Sequence, residues 1–326
     1  MVLKSTCPYF SNNISTSSTN IFQCISFFKR TRRHNSTPKI RLFPIPIKEH
    51  ADSLNIKKAC KLLKVSRSGY YKYLERKPSA RDIENSVLST EIKKIFDEHR
   101  SRYGSLRITK VLEQNGIKVN RKRVARLMRM MNLSPKGTNY KYKKYHQNCA
   151  KEEHANLLNQ MFKATDKNKI WVGDITYIPT QKKTLFLAVF VDIFSRKVVG
   201  WAMDTRMKDQ LVIAAFNQAY GKERPEPGLI VHTDQCAQFT GNNFQMLLKA
   251  RKAIHSESRK GNPYDNALME SCYRTLKREL IQDAHFETPE QAQKEIFKYI
   301  ELYYNTKRMH SALGYVSPSE FEKQNS

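Results

Sequence analysis

Apolar residues recur at helical spacing near the start of the chain, where residues 54–76 are predicted to form two short helices joined by a tight turn. Ser66 stands where the N-cap of the second helix belongs. Two short helices around such a turn are typical of helix-turn-helix units, although an ordinary helical hairpin gives the same pattern. Pro78 separates this unit from the next.

Three longer helices are predicted from residue 83 to residue 133. The apolar face of the first is formed by Val87, Ile92, Ile95 and Phe96. The second helix ends at Gly116, and Asn120 is the N-cap of the third. The apolar face of the third helix is formed by Val124, Leu127, Met128 and Met131. Its opposite face carries the cations Arg121, Lys122, Arg123, Arg126 and Arg129. A basic helix after a turn indicates a recognition helix, so we predict that these cations contact DNA.

Beyond residue 168 the pattern changes to that of strands. IWVGDITYIP, LFLAVFVDIF and KVVGWAM predict three strands, and the short turn SRK indicates that the last two are antiparallel. A helix from about Lys208 to Tyr220, the strand LIVHTD, the helix NNFQMLLKA and a short strand near AIHS follow. Asn262 and Pro263 stand where a further helix begins, and that helix is predicted to reach about Leu280. Strands followed by alternating helices and strands indicate an α/β domain with a mixed sheet.

Charge is distributed unevenly along the 326 residues, whose formal net charge is +28. Residues 1–150 contain 33 Lys and Arg against 9 Asp and Glu, whereas residues 151–326 contain 25 against 21. A field of this sign and position attracts polyanions and favours nucleic acid as the partner. An anionic membrane surface is the alternative that charge alone leaves open.

Cysteine usage and apolar runs narrow the class of protein. The six cysteines form no CxxC pair and no zinc-spaced Cys/His cluster, so they are predicted to be thiols in a reducing compartment. No apolar run approaches the roughly 18 residues of a membrane span, so no membrane partner is expected.

Residues 1–46 contain no acidic residue and predict a disordered basic arm, or a start codon placed too far upstream. A mitochondrial transit peptide fits that composition only loosely.

Three acidic residues are the candidates for chemistry. Asp174 lies inside the first strand, Asp234 ends the fourth strand, and Glu270 lies two turns into the helix that Pro263 opens. A buried carboxylate is unfavourable unless it is paired or binds a metal. Carboxylates arriving from three elements favour Mg²⁺ or Mn²⁺, and two such ions about 3.5–4 Å apart can clamp both oxygens of a phosphodiester displacement.

Several strings resemble the catalytic region of DDE transposases, namely WVGDITYIPT, VDIFSRKVVGWAM, HTDQCAQFT, SRKGNPYDNALMES and YNTKRMHSALGYVSP. The chain is most similar to the insertion-sequence family whose second reading frame encodes this domain, the IS-three type, over about residues 47–323. The resemblance implies a ribonuclease H-like fold shared with retroviral integrases: a five-stranded mixed sheet flanked by helices and preceded by helix-turn-helix-like modules.

Site residues follow from this resemblance position by position. It implies that Asp174, Asp234 and Glu270 are the catalytic, metal-binding triad, with 59 and 35 residues between them. Candidate DNA contacts near the triad are Lys277, Arg274, Asn262, Tyr264 and Asn266. Asp265 belongs to the same loop and receives no role, and Asp192 is interpreted as structural. A solvated surface position is the alternative for Lys277.

The resemblance also implies a function and a domain plan. The function is metal-dependent cleavage at the ends of a DNA element, followed by strand transfer. The expected partners are double-stranded DNA, as terminal inverted repeats and target, and further copies of the chain in a bacterial cytoplasm at the nucleoid. The plan is an arm at 1–46, a short helix-turn-helix-like unit at 47–78, a helical DNA-binding domain at 79–141, a basic linker at 142–167 and a catalytic domain at 168–326.

Departures from the family pattern keep an alternative open. Cys236 and Ala237 replace a usual Gly-Ser, Cys272 replaces a large aromatic residue, Pro263 replaces a Cys and Met309 replaces an Arg. None removes a metal ligand, but together they allow for a catalytically inactive DNA-binding remnant or regulator. A retroviral-type integrase is a second alternative, and the absence of its zinc-binding His/Cys set counts against it.

Overall fold

The computed structural model describes residues 56–63, 66–137, 155–259 and 262–325. The chain divides into two compact units, one up to Arg81 and one from Asp82 onward. The predicted arm at 1–46 lies outside the described residues, as do residues 138–154, which include the first half (142–154) of the predicted basic linker.

The first unit contains two short helices, α1 (Ile56–Leu63) and α2 (Arg67–Leu74). Ser66 caps α2, because its hydroxyl accepts a hydrogen bond from the backbone N–H of Gly69 at 3.0 Å. Cys60 and Tyr70 form a small buried cluster. The predicted helix pair and its cap are confirmed.

Three helices follow, α3 (Ala80–Glu98), α4 (Ser105–Gln114) and α5 (Arg121–Met130). Asn120 caps α5 as predicted, since its side chain accepts a hydrogen bond from the backbone N–H of Lys122 at 2.8 Å. The apolar face of α5 is also confirmed: Val124, Leu127 and Met128 are buried, and Met131 packs against the same core.

The predicted apolar face of α3 is wrong at one position. Leu88 is buried with Ile92, Ile95 and Phe96, whereas Val87 is 64% exposed. At about 100° per residue, Leu88 lies on the helix surface between Ile92 and Ile95, and Val87 lies one residue out of that face. Both residues are aliphatic, so hydrophobicity did not distinguish them.

Five strands form one mixed sheet in the order β3-β2-β1-β4-β5. They are β1 (Ile170–Ile178), β2 (Leu185–Asp192), β3 (Val198–Asp204), β4 (Ile230–Thr233) and β5 (Ile254–Glu257). The antiparallel pairing of β2 with β3 is confirmed. β1 also pairs antiparallel with β2, whereas β4 pairs in parallel with both β1 and β5. The predicted fold class, a ribonuclease H-like mixed sheet flanked by helices, is confirmed.

Helices cover both faces of the sheet. One face packs with α6 (Asp209–Glu223) and with α8 (Asn242–Ala250), which follows the short helix α7 (Ala237–Thr240). The other face packs with α9 (Ala267–Leu276) and α10 (Pro289–Tyr299). Because β2 is covered on both sides, its residues form an uninterrupted apolar run.

The last part of the chain joins the helices before the sheet to those after it. The axis of α9 continues as a π-helical segment (Lys277–Ile281), and that of α10 continues likewise (Ile300–Tyr304). A short 3₁₀ turn (Ser311–Leu313) and α11 (Pro318–Gln324) complete the chain. Residues of α3, α4 and α5 share one buried apolar core with α9 and α10.

Within the ranges that the structure describes, no helix has both the length and the apolar character needed to cross a membrane.

Candidate active site

Asp174 and Asp234 lie side by side because their strands are neighbours. In the parallel pairing of β1 with β4, Gly173 lies opposite Thr233. The next residue along the chain is an aspartate in both cases: Asp174 inside β1, and Asp234 directly after β4. Both aspartates are half-buried. The sheet register therefore brings two of the three predicted acids together.

The two carboxylates destabilise each other's charge. Burial raises the pKa of Asp174 well above its usual range, and the adjacent Asp234 raises it further. Burial also raises the pKa of Asp234, to about 6; the N–H of Cys236 opposes this shift and the buried Glu257 adds to it. Two acids held together in this way are stabilised by a cation between them.

Glu270 lies in the first turn of α9 and is half-buried. Among the described residues, no three His, Cys, Asp or Glu side chains lie close enough together to hold one metal ion. The structure thus brings Asp174 and Asp234 together, and the participation of Glu270 stays a prediction.

The helix that carries Glu270 is nevertheless fastened to the strand that carries Asp174. The hydroxyl of Tyr273 on α9 donates to the main-chain carbonyl of Asp174. The Asp174 carboxylate accepts hydrogen bonds from the backbone N–H of Ile175 at 2.7 Å and from the Asn266 amide at 3.2 Å. Asp174 is therefore held at its backbone and at both carboxylate oxygens.

These residues fit a hard divalent cation. The donors that converge are carboxylate oxygens, which Mg²⁺ and Mn²⁺ prefer. Beside them, the side-chain carbonyl oxygen of Asn266 is buried and has no hydrogen-bond partner within the described ranges. Two half-buried acids and a buried acceptor atom are therefore stabilised by a hydrated cation between them.

Lys277 lies on the same side of the domain as the two aspartates. Its ammonium nitrogen is 4.8 Å from the centroid of the Tyr177 ring, in cation–π geometry. Burial lowers the pKa of Lys277, while Asp174 opposes that shift. The structure thus gives Lys277 an electrostatic connection to Asp174, and DNA contact stays a prediction.

The other predicted DNA contacts differ in their surroundings. Tyr264 is 70% exposed, and Arg274 is also exposed. Asn262 accepts a hydrogen bond from the backbone N–H of Tyr264 at 3.1 Å, which caps a 3₁₀ turn (Pro263–Asn266) leading into α9. The predicted helix start is confirmed, with its first turn 3₁₀ in place of α.

On α5, four of the five predicted DNA-contacting cations point outward. The exposed side chains are Arg121, Lys122, Arg126 and Arg129. Arg123 instead pairs with Glu84 of α3 at 2.6 Å and donates to Asn85 at 2.9 Å. Its contacts therefore join two helices of the domain, an arrangement that the charge pattern alone did not reveal.

Asp192 has the structural role predicted for it. It is fully buried at the end of β2, where its carboxylate accepts hydrogen bonds from the backbone N–H groups of Asn168 and Ser195 and from the Ser195 hydroxyl. These bonds fix the turn between β2 and β3.

The loop before α9 contains an ion pair that the sequence analysis missed. The Asp265 carboxylate is buried and accepts hydrogen bonds from the Arg259 guanidinium and from the Arg259 backbone N–H. The Arg259 side chain lowers the pKa of Asp265 to about 2. An Arg six residues before an Asp across a loop was the only sequence signal.

Three of the departures from the family pattern, Cys236, Cys272 and Met309, pack in or against the apolar cores. Cys236 has φ −69° and ψ 138°, an extended conformation open to any residue, so the backbone there does not require glycine. Its N–H donates to the Asp234 carboxylate at 3.2 Å. Met309 is buried, and Cys272 is half-buried with its thiol pKa raised by burial to about 11.

The sequence matches models of known protein families. Models described as "Integrase core domain" match residues 164–263 and 251–318, and one described as "HTH-like domain" matches residues 82–142. The "Transposase for insertion sequence element IS904" of Lactococcus lactis is 59% identical over 253 residues, which cover 78% of this chain and 100% of that protein. The chain belongs to this family of insertion-sequence transposases.

A second transposase is also similar to the chain. The "Transposase InsF for insertion sequence IS3A" of Escherichia coli is 36% identical over 281 residues, which cover 86% of this chain and 98% of that protein. Among solved structures, the HTLV-2 integrase catalytic core domain in complex with magnesium matches with a TM-score of 0.38 and 20% identity, covering 49% of this chain and 99% of that one. The two transposases confirm the predicted family.

Proposed function

We propose that the chain cleaves DNA strands at the ends of its insertion element and joins them to a target, in a metal-dependent reaction. The observation that carries the proposal is the juxtaposition of Asp174 and Asp234 on neighbouring parallel strands. Membership in a transposase family supports the choice of DNA as the substrate.

Asp174, Asp234 and Glu270 would together hold two Mg²⁺ or Mn²⁺ ions. When bound, the metal supplies activation of a water or a 3′-hydroxyl and neutralisation of charge on the phosphate. The proposed reaction needs no covalent protein intermediate, because a water or a 3′-hydroxyl would attack the phosphodiester in place of the Ser or Tyr nucleophile of the covalent recombinases.

Basic and aromatic residues of the chain would position the DNA. Lys277, held over the Tyr177 ring beside Asp174, would bind the phosphate backbone of the element end. Arg274 and Tyr264 are exposed nearby and would extend this surface. The four exposed cations of α5 would bind the inverted repeat, with further copies of the chain assembled on the same DNA.

The test is strand nicking of an end-labelled duplex that carries the element's terminal inverted repeat. We expect nicking at the element end in Mg²⁺ or Mn²⁺, and none in EDTA. A protein that binds this duplex in a gel shift but never nicks it would be the DNA-binding regulator or inactive remnant. That result would contradict the proposed enzyme.

The salt dependence of binding tests the role of α5. Replacing Arg126 and Arg129 by Gln should make the plot of the logarithm of the DNA association constant against the logarithm of salt concentration less steep. The magnitude of its negative slope should fall by about two, because each phosphate contact contributes about 0.9. The matched control replaces two exposed lysines of the sheet domain, Lys249 and Lys252, by Gln and should leave the slope unchanged. Equal slopes for all three proteins would assign the exposed face of α5 to something other than DNA.

A further inference from the structure

Asn266 connects the loop before the catalytic helix to the acid on the central strand. Its amide nitrogen lies 3.2 Å from Oδ2 of Asp174, across 92 positions of sequence. We propose that Asn266 is a positioning residue for metal binding, which orients the Asp174 carboxylate toward Asp234. The inference rests on the proposed function and assigns Asn266 a role in addition to its predicted DNA contact.

Contacts of the Asn266 side chain support this role. Within the described ranges, the bond to Asp174 is its only hydrogen bond, because its carbonyl oxygen is buried without a partner. When Asp174 is ionised, only the amide nitrogen can face it, since two oxygens would repel each other. The side chain therefore caps no helix and closes no turn, and its one contact is with the carboxylate.

The backbone around Asn266 is held in place by its neighbour. The buried carboxylate of Asp265 accepts hydrogen bonds from Arg259, from Asn156 at 2.7 Å and from Gln160 at 3.1 Å. The main-chain carbonyl of Asp265 also lies 3.0 Å from Nε2 of the buried His232 on β4. A residue fixed by its side chain and its carbonyl presents the next side chain in one direction.

The Asp174 carboxylate has two oxygens, and the chain secures each of them differently. Oδ1 accepts a hydrogen bond from the backbone N–H of Ile175 at 2.7 Å, a donor that no side-chain substitution removes. Oδ2 accepts from the side-chain amide of Asn266, which a substitution can remove. Losing the amide would leave the carboxylate free to rotate about one anchored oxygen. Partners that orient a metal ligand typically change metal affinity or activity about 10–100-fold when removed.

The experiment compares Asn266→Leu, which keeps the branching of the side chain and has no donor, with Asn266→Gln, which restores an amide on a longer stem. The control is Asn243→Leu, which removes an exposed hydrogen bond from α8 to Asp209 on the sheet face opposite α9. Mn²⁺ binding is followed on the full chain by the electron paramagnetic resonance signal of the free ion. Nicking of the inverted-repeat duplex is measured against Mn²⁺ concentration, together with duplex affinity and the thermal midpoint without metal.

We expect Asn266→Leu to weaken Mn²⁺ binding, and to raise the half-saturating Mn²⁺ concentration for nicking, by about 10–100-fold. Asn266→Gln should lie between Asn266→Leu and the wild type, and the control should match the wild type. The metal-free thermal midpoint should stay within error of the wild type in all three variants. Any loss of duplex affinity in Asn266→Leu should be that of a single DNA contact and smaller than its loss of Mn²⁺ affinity.

Different failures have different meanings. If the wild type binds Mn²⁺ and nicks DNA while Asn266→Leu does both equally well, the positioning role is overturned and the proposed function stands. If Asn266→Leu lowers the metal-free midpoint by many degrees and Asn266→Gln binds Mn²⁺ no better, Asn266 is structural and the inference is overturned. If the wild type neither binds Mn²⁺ nor nicks, the proposed function itself fails.

Discussion

Changing Asp174, Asp234 or Glu270 to the matching amide should remove nearly all strand nicking while leaving binding to the inverted repeat intact. Each change keeps the size of the side chain and removes one negative charge. Metal ions contribute several kcal/mol of charge stabilisation to such reactions, so we expect a loss of roughly a thousandfold or more. Binding should survive because it is assigned to α5, whose exposed cations lie on another element.

The measurement is a gel shift and a nicking assay on the same protein preparations in Mg²⁺. Asp283→Asn is the control, since it makes the same chemical change at an exposed acid after α9 and should nick like the wild type. A Glu270→Gln protein that nicks at the wild-type rate would remove Glu270 from the site. If the wild type binds the ends and never nicks, Cys236→Gly is the first reversion to make toward the family pattern.

Many helices and strands were predictable because their sequence patterns are local. β2 is covered on both faces, which leaves an uninterrupted apolar run, and Ser66 and Asn120 precede their helices as caps normally do. Asp174 and Asp234 were recognisable from the motifs around them. The sheet order that makes them neighbours came from the family resemblance, because no local pattern determines which strands pair.

The contacts that organise the site were not predictable in the same way. Asn266 and Asp174 are 92 residues apart, and nothing in either neighbourhood indicates that an amide faces a carboxylate. Arg123 has the same charge as the other cations of α5, yet only the packing of α3 against α5 brings Glu84 to it. Such pairs depend on which helix faces meet, and a sequence pattern gives the face but not its partner.

Glu279 makes several long-range contacts of the same kind. It lies in the π-helical continuation of α9 and is 1% exposed. Its carboxylate accepts hydrogen bonds from the Arg308 guanidinium, including one at 2.9 Å, and from the Tyr299 hydroxyl at 2.9 Å. The guanidinium of Arg107 on α4 lies 3.7 Å from the Glu279 carboxylate. The network therefore joins a helix that precedes the sheet in the sequence to helices that follow it.

Replacing Glu279 by Gln should destabilise the protein by about 3–5 kcal/mol, because it leaves the buried Arg308 cation, with Arg107 beside it, without a counter-charge. For a unit of this size the thermal midpoint should fall on the order of 10 °C. The control is Asp97→Asn, which breaks the exposed Lys93–Asp97 pair and should cost less than about 1 kcal/mol. Thermal and urea unfolding at neutral pH measure both.

The destabilisation by Glu279→Gln should also depend on pH in a defined direction. Burial alone would raise the pKa of Glu279, but the charge and hydrogen bonds of Arg308 outweigh burial and hold it below the usual value. A depressed folded-state pKa contributes stability that is fully present above the unfolded pKa of about 4.3 and is lost as the pH falls through the folded value. The difference in stability between wild type and variant should therefore be constant near neutral pH and shrink below about pH 4. A difference that stays constant into strong acid, or a variant as stable as the Asp97→Asn control, would show that the Glu279 charge does not hold these helices together.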